Sequence, residues 1–310
     1  MEPHVAFRHE ALLYRGMADF LNHAVPFIRD GLEVGEPVLV ITSAAQLQAL
    51  RAELGSDAGA VEFADMAEVG SNPAWIIPRW QAFVDRESKN GRRLRGIGEP
   101  IYPERNADEL SECQWHESLL NLAIDRATPL WLLCPYDASA LDPGVVEEAR
   151  RSHPLVTEGD HRRESDAFRG LGGSIVPFGV PLPSPPAIHQ TFAFAAPDLA
   201  MVRRMVADHA AKAGLNEERK DNLVAAAHEV ATNSIRHGGG GGVLRLWRDA
   251  RSIICEFSDG GHIDDPMVGR QRPHMGSAGG RGLWLANQMC DLVQIRALPH
   301  GSVVRLHQNF

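Results

Sequence analysis

Residues 228–238 read HEVATNSIRHG, the end of a longer segment, EERKDNLVAAAHEVATNSIRH, that Asn216 can cap as a helix. Leu223, Ala227, Val230 and Ser234 recur at helical spacing, so one face of the segment is expected on a core. Glu229 and Asn233 are four residues apart, which places a carboxylate and an amide on one helical face, a face that also presents His237. An amide oxygen beside a carboxylate suits a hard divalent cation such as Mg²⁺. Taken alone, the same pair describes an ordinary solvated helix.

Working outward, the five glycines Gly238–Gly242 predict a flexible turn. VLRLWRD and SIICEFSD then read as strands. The second ends in EFSDGGHIDDP (residues 256–266), where Asp259 is followed by Gly260 and Gly261. A carboxylate at a strand end can accept a hydrogen bond from an exocyclic amine while glycine backbone passes close to a flat base. Asp-Gly also makes plain turns. GSAGGRGLWLANQMCD (residues 276–291) opens a short helix with glycines, leaving free N–H groups and a positive dipole end suited to phosphate, with Arg281 adding charge. It lacks the GK[ST] of a Walker A loop. DLVQIRA and SVVRLHQ read as a closing hairpin around residues 299–301. Upstream, TFAFAAP reads as a strand, and LAMVRRMVADHAAKAG as a helix capped by Asp198 and ended by Gly214.

Glu-x-x-x-Asn on a helix, Asp-x-Gly after a strand and Gly-x-Gly before a helix, in that order, resemble the ATP-binding (Bergerat, GHKL) fold. That superfamily includes gyrase-type ATPases, a class of heat-shock chaperones, histidine kinases and anti-sigma factor serine kinases. The stretches HEVATNSIRHG, DDP and GGRGLWLANQMCD look most like the anti-sigma (RsbW-type) branch, over residues 188–310. The resemblance implies an α/β sandwich with a mixed or antiparallel sheet and helices on one face. It implies ATP and Mg²⁺ as cofactors, Asn233 as the Mg²⁺ ligand and Glu229 as the base toward an attacking hydroxyl. Asp259 and Gly261 would hold adenine, and Ser302 would help through Asp259 or a water. Gly279, Gly280, Arg281 and Gly282 would hold the phosphates, with His237 and Leu283 also at the nucleotide. Ile263 departs from the family, which often has another glycine there, on the border of a lid at residues 264–279. A sigma factor, a STAS-domain anti-anti-sigma protein and a homodimer are the implied partners.

The first half alternates helical segments with short apolar runs, PVLVITS, VEFADM, RLRGIGEP and PLWLLCPYD, which predicts a mostly parallel sheet covered on both faces. LLYRGMADFLNHAVPFIRDGLEVG reads as helix, interrupted or kinked at Pro26. Together with GRRLRGIGEP, ECQWHESLLNLAID and LWLLCPYD, it resembles the MEDS sensory domain, over about residues 4–154. That resemblance implies a RecA/KaiC-like α/β fold. GLEVGEPV sits where such a fold would place a phosphate loop but has no GK[ST], so no hydrolysis is expected there. A small-molecule effector is a further expectation for this half. His9, Cys113, His116 and Cys134 invite a metal or thiol-sensor reading, but they share no ligand spacing, and buried structural roles are expected instead. Trp75, Trp80, Trp115 and Trp131 are expected in packing. Residues 157–187, rich in glycine and proline, are expected to form a stiff spacer between domains 1–156 and 188–310, the alternative being a long loop packed on one domain.

At 310 residues the chain fits two domains, and 44% hydrophobic with 23% charged residues excludes disordered, collagen-like and disulfide-scaffold classes. A net charge of −9 gives no broad basic field for nucleic acid. Four scattered cysteines form no CxxC pair, no apolar run reaches membrane length, and the amino terminus has no signal-peptide pattern, so a reduced, cytoplasmic bacterial protein is expected. A sensor histidine kinase and a non-catalytic ATP-responsive binding module are the alternatives to an anti-sigma kinase. The first needs a phosphoacceptor histidine on a helical hairpin, which the proline-rich stretch opposes.

Overall fold

A computed structural model describes residues 7–88, 91–273 and 280–310. The chain divides into two compact units, Met1–Ser174 and Ile175–Phe310.

The first unit contains β1 (Arg8–Tyr14), α1 (Gly16–Glu33), β2 (Val38–Thr42), α2 (Ala44–Leu54), β3 (Val61–Asp65), α3 (Met66–Val69) and α4 (Ile76–Glu87). It continues with β4 (Leu94–Gly98), α5 (Ala107–Ala123), β5 (Leu130–Asp137), α6 (Pro143–Ser152), β6 (Leu155–Glu158), β7 (His161–Glu164) and α7 (Gly170–Gly173). The sheet order is β3-β2-β4-β5-β1-β6-β7, and every pairing is parallel except that of β7 with β6. Strands buried on both faces explain the unbroken apolar runs: all of β2 and β4 is buried. Phe20, Ile28, Leu39, Leu50, Trp80, Phe83 and Trp115 are among the largest fully buried side chains. Trp131 is half-buried, and the guanidinium carbons of Arg8, Arg95 and Arg162 lie over its ring at 5.1, 5.1 and 4.2 Å.

Three expectations need correction here. Leu12–Tyr14 do not start the first helix. They end β1, a central strand, and the helix starts at Gly16, whose φ of +74° makes the turn between them. Apolar periodicity cannot separate a buried strand from a helix when the two abut. The GLEVGEPV loop joins the end of α1 to the start of β2, so it lies at the amino ends of the strands; a phosphate loop would follow a strand. The glycine- and proline-rich stretch is not all spacer: its His161–Glu164 pairs antiparallel with β6 and extends the sheet of the first unit.

The second unit contains β8 (Gln190–Ala195), α8 (Leu199–Ala213), α9 (Glu217–His237), β9 (Gly241–Arg248), β10 (Ser252–Asp259), α10 (Arg281–Met289), β11 (Leu292–Leu298) and β12 (Gly301–Asn309). Its sheet, in the order β11-β12-β10-β9-β8, is antiparallel throughout. Asn216 caps α9 by accepting from Arg219 N at 2.9 Å, and Gly214 ends α8 in the left-handed region at φ +87°. Asp198 precedes α8 but makes no side-chain cap to it; its carboxylate accepts from Ala195 N instead. Of the five glycines Gly238–Gly240 form the turn, Gly239 and Gly240 at φ +90° and +97°, and Gly241 and Gly242 begin β9. Glycine is needed there for a different reason: a Cβ on Gly241 would stand 2.2 Å from Phe194 O on the neighbouring strand.

Strand alternation gives the sheet two unlike faces. Cys255 and Phe257 share one with their cross-strand partners Leu246, Leu244, Leu306 and Val304. Leu223, Ala227, Val230 and Ser234 of α9 are all buried, and α9 packs on β9, β10 and β12. Glu256 lies on the opposite face, between Arg245 at 3.1 Å and Arg305 at 2.6 Å. Arg305 also donates to Pro183 O at 2.7 Å, so part of the proline-rich segment is fastened to that face.

Candidate functional site

The second unit contains a cleft of about 370 Å³ lined by α9, the end of β10, the loop after it, the start of α10 and β12. Val230, Leu283 and Val304 supply apolar lining, and Asp259 the central charge.

Asp259 is held by three donors. Ser302 Oγ and Gly261 N donate to its Oδ1 at 2.8 and 2.9 Å, and Ser234 Oγ donates to Oδ2 at 2.6 Å. A carboxylate offers about four acceptor positions, so Oδ2 retains one for an incoming donor. The backbone around it is packed too closely for side chains. A Cβ on Gly261 would meet His237 O at 2.8 Å, one on Gly238 would meet the Asp259 Cγ at 2.5 Å, and one on Gly301 would meet Asp259 O at 1.9 Å. These glycines let α9, β10 and β12 converge on one carboxylate.

Glu229 and Asn233 stand one turn apart on α9, as their spacing predicts, and face the first turn of α10. A Cβ on Gly282 would lie 3.0 Å from Glu229 Oε2 and 2.9 Å from Asn233 Nδ2. Gly280, at φ +84°, is the residue that starts α10. Asn287 Nδ2 donates to Gly269 O at 3.0 Å and ties the loop after β10 to this helix.

Of the residues singled out in the sequence, Asn233, His237, Asp259, Gly261, Gly280, Leu283 and Ser302 line the cleft. Ile263 lines it as well. Glu229 and Gly282 are not among its lining residues, although they meet beside Asn233; Arg281 is exposed and also outside it. Gly279 and residues 274–278 of the expected lid lie outside the described residues. Ser234 and Gly238 were missed. The signal for Ser234 was a hydroxyl in an otherwise apolar helical stripe.

The Asn233 side-chain oxygen, a hard donor, lies where Gly282 leaves space, with Glu229 Oε2 beside it, an arrangement that fits a divalent cation with oxygen ligands.

The first unit has its own cavity, of about 550 Å³. Tyr14, Ser43, Asp65, Glu99 and Asp137 line it, each at the carboxyl end of a parallel strand, where ligands of open α/β sheets bind. Glu99 Oε1 accepts from Tyr14 at 2.7 Å, and Gln46 donates to Oε2. Burial pushes the Glu99 carboxyl up to about 8. Burial likewise pushes the Cys113 thiol up to about 12, which opposes a thiol-sensor role for that residue.

Comparison with known proteins agrees with this division. Residues 8–154 match the family described as MEDS: MEthanogen/methylotroph, DcmR Sensory domain. Residues 192–307 match the family described as Histidine kinase-like ATPase domain. No curated protein matches. One matching solved structure is that of the RsbU and RsbW domains of Rv1364c from Mycobacterium tuberculosis, at 16% identity and a TM-score of 0.30, covering 40% of this chain and 32% of that one. The match covers about a third of that chain's length. Among the described residues, no helix is long and apolar enough to cross a membrane.

Proposed function

The chain joins an amino-terminal MEDS sensory domain to a carboxyl-terminal histidine kinase-like ATPase domain, and we propose that it is an ATP-dependent switch of the anti-sigma kinase type. In this reading it binds Mg-ATP in the second unit, phosphorylates a serine or threonine of a STAS-domain partner and sequesters a sigma factor. The observation that carries the nucleotide part is the Asp259 carboxylate, locked by Ser234, Ser302 and Gly261 beside an apolar cleft. Its remaining acceptor position suits an exocyclic amine, and Val230, Leu283 and Val304 suit the faces of a purine.

Asn233 would ligate the magnesium ion, and bound Mg-ATP would supply the transferable phosphoryl group. Glu229, one turn away, is the base proposed to take the proton of the partner's hydroxyl. The backbone of Gly280–Gly282 and the amino end of α10 offer N–H groups to phosphate. The nucleophile belongs to the partner, so this chain supplies positioning and charge. The cavity at the strand ends of the first unit is the proposed place for a small effector.

Histidine autophosphorylation finds less support. Residues 157–187 hold no α-helix longer than Gly170–Gly173, which leaves no place there for a helical hairpin. His161 lies on a strand, and His228 is half-buried within α9.

Incubation with labelled ATP, with and without candidate STAS proteins, tests the proposal. Label on a partner serine or threonine is expected. Label on this chain would favour a histidine kinase, and nucleotide binding with no label anywhere would favour a non-catalytic module.

A further inference from the structure

Four ligating side chains that lie far apart in sequence meet in the core of the first unit. His9 on β1, Glu117 on α5, Cys134 on β5 and His153 at the end of α6 place one ligand atom each within 4.8 Å of all the others. None is more than 1% exposed. The parallel register pairs Ala11 with Cys134, which brings His9 and Cys134 to the same face of the sheet, beneath Glu117.

The hydrogen bonds behind the histidines fix where their protons are. His153 Nδ1 lies 2.8 Å from Ala149 O, an acceptor only, and 3.0 Å from Ser152 Oγ, whose proton goes to Glu148 O or Ala149 O at 3.1 and 3.2 Å and whose oxygen can accept. His9 Nδ1 faces Asn121 Oδ1 at 3.1 Å. The orientation of that amide is set in turn, because Asn121 Nδ2 donates to Ser118 O and Ser152 O at 3.2 and 2.8 Å. Each Nδ1 therefore carries a proton, and in a neutral ring each Nε2 presents a bare lone pair.

Both lone pairs point at the same carboxylate oxygen. Glu117 Oε2 lies 3.2 Å from His9 Nε2 and 3.1 Å from His153 Nε2, and Cys134 Sγ lies 3.4 Å from His9 Nε2. Glu117 Oε1 has no hydrogen-bond partner. The ring centroids of His9 and His153 lie 4.1 Å apart, so both imidazoles close on one carboxylate oxygen with the Cys134 sulfur beside them.

We infer that His9, Glu117, Cys134 and His153 form a binding site for one divalent transition-metal ion of the zinc class. The edge of a zinc tetrahedron, from bonds of about 2.0–2.3 Å, is about 3.3–3.8 Å, close to the separations found here. Thiolate and carboxylate together balance the charge of a divalent ion, so the loaded site is neutral, as deep burial requires. Two imidazoles, a thiolate and a carboxylate suit zinc and its neighbours better than magnesium or calcium. Ala149 O and Asn121 are the outer partners that orient ligating imidazoles. Four protein ligands leave no open position, so the ion would pin β1, β5, α5 and the end of α6 together rather than activate water. Cys113 and His116, neighbours on α5, are not part of this group.

The test is elemental analysis of the full chain, purified without chelator or metal-affinity steps and desalted. It is followed by cobalt titration of metal-stripped protein that circular dichroism shows to be folded. About one first-row divalent ion per chain is expected, with visible bands of tetrahedral cobalt and a thiolate-to-cobalt charge-transfer band. Cys134→Ser should abolish the charge-transfer band, and Cys113→Ser should leave it. Asn121→Ala should weaken metal binding roughly 10- to 100-fold through His9. A folded wild-type chain that carries no stoichiometric metal and gives no cobalt bands would overturn the inference and leave a proton-bridged cluster. A charge-transfer band that survives Cys134→Ser would overturn the ligand assignment.

Discussion

Replacing Asp259 with asparagine is the most informative single change in the cleft, because the structure dictates which way the new amide turns. Oδ1 accepts from two donors, Ser302 Oγ and Gly261 N, so the amide oxygen must take that position. The NH₂ group then replaces Oδ2. Ser234 can adapt, since its hydroxyl already lies 3.3 Å from Val230 O and can donate there while accepting from the new amide. The fold should therefore tolerate the change, with thermal stability nearly unchanged. The free acceptor position, however, becomes a donor that would face the exocyclic amine of an adenine bound as proposed. Loss of one charge-assisted hydrogen bond amounts to roughly 1.5–3 kcal/mol, or roughly 10- to 150-fold in Kd. Equilibrium binding of labelled ATP to Asp259→Asn and parent chains measures this ratio directly. Binding within twofold of the parent, by a variant with an unchanged melting curve, would refute the adenine assignment.

Other consequences are as specific. Gly261→Ala should weaken nucleotide binding at least as much, because its Cβ would stand 2.8 Å from His237 O and force apart the two segments that frame the cleft; labelled-ATP binding checks it. Glu229→Gln should keep nucleotide affinity within a few-fold and lose transfer to a STAS partner; transfer at the parent rate would remove Glu229 as the base. In the first unit, Glu99 rises to about 8 from an ordinary value of 4.5. Below that window the carboxyl is protonated in both folded and unfolded chains. Within it only the unfolded chain ionises, so stability should fall by up to roughly 1.4 kcal/mol per pH unit and level off above pH 8. Glu99→Gln should remove that slope in urea melts between pH 5 and 9, and parallel curves for the two proteins would count against the assignment.

Local signals were legible in the sequence wherever one segment carried them. The α9 stripe, its Asn216 cap and the Gly214 stop are short-range patterns, and the structure follows them. So does the meeting of Glu229 with Asn233, which depends only on helical pitch. Contacts made by long-range register were not legible. Ser234 looked like a small core residue because nothing local reveals that β10 will bring Asp259 against it. Leu12–Tyr14 merged with the following helix because a buried strand and a buried helix both read as apolar. The metal-type cluster was the least visible. His9 and Cys134 stood out in the sequence beside Cys113 and His116 but shared no ligand spacing, and Glu117 and His153 did not stand out, because the four meet only after β1, α5, β5 and α6 have packed together. In residues 157–187, glycine and proline indicated irregular backbone but not that His161–Glu164 would find a strand to pair with.

Calorimetric titration of the full chain with ATP and ADP, in the presence and absence of magnesium, probes the nucleotide cleft itself. Saturable binding of one nucleotide per chain is expected, strengthened by magnesium for ATP and lost in Gly261→Ala. A flat titration at millimolar nucleotide, with protein shown to be folded, would contradict it.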